Sequence, residues 1–171
     1  MALGRALHLS LCHLRASAMA EHTSPAPTRS APEARQFDFW LGRWEVTWGE
    51  GKRASNHIQA ILNGCVILEE FDGAQEAALK GMSVSAYNPK RRCWQQTWVD
   101  DAGNYWAFIG GFQDGQMVLA ADDVTAEGKP IKLRMVWYNI AADELDWNWE
   151  KSEDAGQTWA VLWQLHYTRR K

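Results

Sequence analysis

Long apolar runs are absent from this 171-residue chain. Nowhere does it carry the ~18 to 20 uninterrupted apolar residues of a membrane helix, which excludes a helical bilayer span. Positive charge is also in short supply: 18 Lys and Arg stand against 21 Asp and Glu, a formal charge of −3. A net negative chain lacks the electrostatic footprint of a phosphate-backbone binder, so nucleic acid is not an expected partner. Two histidines, His57 and His166, lie in the body of the chain, and neither has a second His or Cys at metal-ligand spacing. No metal site and no cofactor are expected. A phosphate-cradling glycine loop is missing too, because Gly110-Gly111 sits in a strand pattern, where it marks a bend. Gly81-Met82-Ser83-Val84-Ser85 is one residue short of a nucleophile elbow and reads as strand.

What the chain has in excess is tryptophan, 11 in all, within an aromatic content of 12%. So many indoles must line something. None of them falls in the first 35 residues, which carry Pro25, Pro27 and Pro32 among Ser, Thr and Ala. That segment reads as a disordered tail or a leader, followed by one domain over 36–171. Ala16-Ser17-Ala18 is similar to a cleavage site, Met19 offers an alternative start, and the Arg-containing opening fits a transit peptide. A cytoplasmic protein is expected, or an exported or organellar one if residues 1–20 act as a leader.

Helical periodicity is scarce beyond this point. Phe37 to Leu41 reads as a short helical plug stopped at Gly42, and then Trp44, Val46 and Trp48 alternate with Glu45 and Thr47. Turn pairs follow at short intervals: Glu50-Gly51, Asn63-Gly64, Asp72-Gly73, Asn88-Pro89, Asp114-Gly115 and Glu127-Gly128. They divide the chain into about ten strands, with every link short enough for a hairpin. A meander of that length hides its edges by closing, the last strand pairing with the first. The expected fold is all-β: a closed antiparallel up-and-down barrel with a helical plug at one end. Cys65 and Cys93 fall on second-neighbour strands, ~9.6 Å apart at ~4.8 Å per strand, beyond the ~7 Å that a disulfide tolerates. Both are expected to be reduced.

Alternation nominates the side chains that face the lumen. Trp44 shares a face with Val46 and Trp48; Trp94 with Gln96 and Trp98; Trp147 with Leu145 and Trp149; and Trp163 with Trp159, Val161 and Leu165. The candidate ligand contacts are Trp44, Trp94, Gln96, Trp98, Arg134, Trp137, Trp149 and Trp163, with Asn148 and His57 as further polar anchors. Glu69 and Glu70 are neighbours on a strand and point to opposite faces, so one of them faces inward. A carboxylate in an aromatic cavity has a raised pKa and is the best general-base candidate, with His57 as the other. His166, on the face opposite the Trp-rich one, reads as a surface histidine.

Several motifs carry a family resemblance. FDFWLGRWEV (Phe37 to Val46), NGC (Asn63 to Cys65), YNP (Tyr87 to Pro89), QTWVD (Gln96 to Asp100) and the end from Ser152 to Arg170 resemble a large bacterial family of lipocalin-like proteins of unknown function. The resemblance implies a calycin-type barrel and little about activity. Gly42-Arg43-Trp44 also resembles the Gly-x-Trp opening of lipocalins and fatty-acid-binding proteins, which implies a tryptophan closing the barrel floor.

Three functions fit these readings. The first is binding of a small apolar or aromatic ligand in the lumen. The second is an isomerase, cyclase or hydrolase in the same cavity, using Glu69 or Glu70, His57, and Tyr87 or Tyr105. The third is a solvent-facing aromatic platform for sugars, built on Trp147 and Trp149. An oligomer is compatible with all three.

Overall fold

The computed structural model describes residues 31–171. The leader features at residues 1–20, Met19 included, lie outside the described residues. Within the rest of the expected tail, Pro32–Arg35 form a single 3-10 turn, and a second one covers Asp38–Trp40. Ten strands follow: β1 (Gly42–Trp48), β2 (Lys52–Ile61), β3 (Val66–Asp72), β4 (Lys80–Asn88), β5 (Cys93–Asp100), β6 (Tyr105–Gln113), β7 (Gln116–Val124), β8 (Pro130–Tyr138), β9 (Glu144–Ser152) and β10 (Ala160–Arg169). Each pairs antiparallel with its sequence neighbours, and β1 pairs with β10, in register Trp44 with Arg169 and Val46 with Tyr167. The barrel is closed, so none of these ten strands offers an unpaired edge.

The turn chemistry explains the meander. Asp114 and Gly115 both adopt positive φ (52° and 78°), the mirror-image turn whose twist suits a two-residue hairpin between Gln113 and Gln116. Asn63-Gly64 behaves differently: the β2–β3 pairing ends at Ile61 and Val66, leaving a four-residue loop with positive φ at Leu62, Asn63 and Gly64. Cys65 sits in that loop and Cys93 opens β5, with β4 between their strands, and no disulfide joins them.

One end of the barrel is closed by the segment before β1. Phe37 and Trp40 are fully buried there, with the Phe37 ring edge-on to Trp94 at 4.9 Å and to Trp137 at 5.2 Å. Trp44 donates its indole N–H to the Trp40 carbonyl at 2.7 Å. Arg169, near the end of β10, donates to the carbonyls of Leu41 (2.5 Å) and Phe39 (3.0 Å) while its guanidinium lies over the Trp44 ring. The plug is therefore held by apolar burial and by one cation that satisfies its backbone. Trp94 adds a further tie, donating to the carbonyl of Glu33 at 3.2 Å.

Gly110 shows how tightly the wall is wound. A Cβ placed there would stand 1.9 Å from the Val118 carbonyl oxygen on β7, whereas at Gly111 it would meet nothing. Gly110→Ala is expected to lose about 2 kcal/mol of stability, because backbone must move to admit the methyl, and Gly111→Ala to lose under about 0.5 kcal/mol. Urea denaturation of both variants checks this, and equal losses would refute it.

Candidate functional site

At the end opposite the plug the barrel opens into a cavity of about 220 Å³. The β1–β2, β3–β4, β5–β6, β7–β8 and β9–β10 turns all lie at this mouth. Six indoles line the cavity: Trp98, Trp106, Trp137, Trp147, Trp149 and Trp163. Three of them pack edge to face, Trp147 on Trp163 at 6.1 Å and Trp137 on Trp147 at 6.3 Å, while Trp106 tilts against Trp149 at 5.9 Å and Trp98 against Phe71. Gly81 makes room for one of them, since a Cβ there would fall 2.2 Å from the Trp98 ring.

The two halves of the wall differ in chemistry. Inward positions on β6 to β9 are mostly apolar, including Phe108, Leu119, Met135 and the indoles, with Asp123 and Lys151 in the same phase nearer the rim. Inward positions on β2 to β5 carry Asn56, Glu69, Ser83, Ser85 and Gln96, all buried. Asn56 Nδ2 donates to Glu69 Oε1 at 2.7 Å, and Ser83 Oγ donates to Glu69 Oε2 at 2.6 Å. Asn56 Nδ2 also reaches the Tyr167 hydroxyl at 3.3 Å. Nearer the plug on this wall Gln96 Nε2 donates to Ser85 Oγ, while Gln96 Oε1 and Asn56 Oδ1 have no hydrogen-bond partner among the described residues.

Glu69 lines the cavity from within this cluster. Burial pushes its carboxyl up from 4.5 to about 7, outweighing the two hydrogen bonds that favour the anion. Burial, and then the Glu69 charge, raise the Tyr167 phenol, so it stays protonated. At the mouth stands Asp100, which accepts from Trp98 Nε1 at 3.1 Å and from Asn104. Burial there would raise its carboxyl, but those bonds and the backbone N–H groups of Ala102 and Asn104 outweigh it and hold it low. Asp123 accepts from Trp106 Nε1 at 3.2 Å.

The candidates read from the sequence are thus divided. Trp98, Trp137, Trp149, Trp163 and Glu69 line the cavity. Trp44, Trp94 and Gln96 face inward but belong to the packing below it. His57, Glu70 and Arg134 are corrected to the outer face, because the inward phase falls on Asn56, Glu69 and Met135 beside them. His57 and Glu70 are cross-strand partners there, 3.7 Å apart. Arg134 binds Glu150 at 2.6 Å and lies over the Trp159 ring, and Asn148 donates to the same Glu150, also outside. Trp159 and Val161 do not join Trp163, since the β9–β10 register shifts between Val161 and Trp163 and turns Val161 outward. Trp147 and Trp149 look into the cavity, so they form no solvent-facing platform. Tyr105 is exposed, and Tyr87 packs on Trp94 outside the cavity. His166 is on the surface, paired with Asp146 at 2.8 Å.

Trp106, Asn56, Ser83 and Tyr167 escaped the sequence reading. The signal for them was phase: Asn56 alternates with buried Ala54 and Ile58, and Trp106 with Phe108. Among the described residues, no group of three or more His, Cys, Asp or Glu is placed to hold a metal ion, and no helix is long and apolar enough to cross a membrane.

A comparison with curated proteins returns no match. Residues 40–169 match the family described as "Protein of unknown function (DUF1579)", a span from the plug to the end of β10. The chain belongs to that family.

Proposed function

We propose that the barrel binds a small, mostly apolar or aromatic molecule in its lumen. What carries the proposal is the cavity of about 220 Å³ with six indoles around it and a single buried carboxylate inside. An apolar cavity of ~150 Å³ holds benzene, and drug-sized ligands occupy ~300 Å³ or more, so the occupant is a one- or two-ring molecule. A kinship with lipocalin-like proteins belongs to the same proposal, since the Gly-x-Trp opening places Trp44 at the barrel floor.

Toluene is a sufficient probe. Adding it is expected to shift tryptophan emission and to move the indole N–H resonances of the cavity tryptophans while leaving that of Trp159 still. Trp98→Ala is expected to weaken this response more than it lowers the melting temperature. A protein whose indole resonances ignore toluene would refute lumen binding.

Glu69 favours a second reading, that of an enzyme. A carboxylate poised near neutrality in a cavity lined mostly by apolar side chains, with the Tyr167 phenol in its field, suits proton abstraction next to a carbonyl, as in an isomerase.

A further inference from the structure

We infer that the cavity selects a small organic cation, a protonated amine on a ring-sized apolar body, with its N–H directed to the Glu69 carboxylate. The inference rests on the binding reading above and adds the charge of the ligand. Of the described residues that line the cavity, the charged ones are Glu69 and Asp100, and both are acids; none is Lys, Arg or His. Asp100 stands at the mouth and Glu69 deeper, so an acid stands at each end of the cavity.

The carboxylate has capacity to spare. Each Glu69 oxygen accepts one hydrogen bond, from Asn56 and from Ser83, and a carboxylate oxygen accepts two. The opposite wall supplies indoles, the side chains that attract cations most strongly. An anionic ligand such as a fatty acid would bring a second negative charge to Glu69 with no cation to balance it. A quaternary ammonium would satisfy the indoles but could not donate to the carboxylate, so an amine with at least one N–H fits best.

The groups facing Glu69 are Asn56 on β2, Ser83 on β4 and Tyr167 on β10, none of them charged at neutral pH. Asp100 on β5 stays ionised throughout that range. Ligand charge and Glu69 charge are therefore coupled without interference. An arriving ammonium ion stabilises the anion and expels the proton that burial holds there near pH 7.

The test compares three probes of one shape: 2-phenylethylamine, 2-phenylethanol and 3-phenylpropanoate, titrated calorimetrically into the full chain at pH 6 and pH 8. The amine is expected to bind at least tenfold tighter than the alcohol at pH 8, and the carboxylate weakest. Amine affinity is expected to rise about tenfold from pH 6 to 8, as Glu69 with a pKa near 7 goes from about 10% to about 90% ionised. Glu69→Gln is expected to keep alcohol binding and lose the preference for the amine. Because the pH comparison uses the unaltered protein, it decides the matter even if that variant folds poorly. Alcohol binding with no amine preference, or a preference for the carboxylate, overturns the cation inference and leaves lumen binding standing. Failure of all three probes overturns both.

Discussion

A chain that stops before Trp163 is expected to aggregate on expression rather than persist as a weakened protein. The truncation removes most of β10, the strand paired to both β1 and β9, and leaves two long unpaired edges in a barrel that had none. It deletes Trp163, Leu165 and Tyr167 from the interior and opens the cavity sideways. It also deletes Arg169, whose guanidinium satisfies the Leu41 and Phe39 carbonyls, so the plug loses its polar tie as well. These losses exceed the ~5 to 15 kcal/mol by which a domain of this size is stable. Sedimentation of the soluble fraction checks the expectation; a monomeric, folded product would show that the other nine strands close without β10. A deletion of residues 1–30 is the natural control, expected to leave stability unchanged, because Glu33 and Gln36, which hold the Trp94 indole, remain.

The second large effect is in how stability varies with pH. Glu69 is an acid whose folded-state pKa is raised, from 4.5 to about 7. Below about pH 4.5 both states hold the proton and burial costs nothing. Between about 4.5 and 7 the folded state keeps a proton that the unfolded chain has released, so stability falls as pH rises. Above about 7 the full penalty applies, about 3 kcal/mol for a shift of that size at 1.36 kcal/mol per unit. Carboxyls held below their ordinary range, among them Asp72, Asp100 and Asp154, act in the opposite sense and lose stability only as pH falls beneath it. They do not disturb the window. Glu69→Gln removes the charge and keeps an amide that accepts from Asn56 and donates to the Ser83 hydroxyl. Its stability is expected to match the parent near pH 5 and exceed it by about 2 to 3 kcal/mol at pH 8. Urea denaturation across that range measures the difference, and parallel curves for the two proteins would contradict a buried, proton-holding Glu69.

The barrel itself was legible in the sequence because its information is local. Period-2 alternation and turn pairs every ten residues or so set the strands, and short links left a meander little choice of neighbour. The cavity was legible only where phase was secure. Trp98, on a regular strand with Trp94 and Gln96, could be placed inside, and so could the statement that one of Glu69 and Glu70 faces inward. Which one depended on the pairing of β3 with β2 and β4, a non-local fact. Arg134 has the chemistry of a ligand anchor but lies outside, since the inward phase of its strand falls on the apolar Leu133 and Met135. At Val161 the extra residue of a bulge resets the alternation, and a pattern two residues long cannot show that. Asn56, Ser83 and Tyr167 are unremarkable in composition; only closure of the barrel brings β2, β4 and β10 around Glu69.

The tie between Arg169 and Leu41 spans 128 residues of chain. Nine of the ten strand pairings can zip progressively, each hairpin templating the next with a loop of only a few residues to close. The β1–β10 pairing cannot, because both termini must meet, and the entropic cost of that loop falls due in one step. Assembly of this barrel therefore ends in a slow ring closure. Until it occurs the plug carbonyls lack their guanidinium and the cavity lacks its Trp163 wall, so an enclosed cavity is the last feature the folding chain acquires.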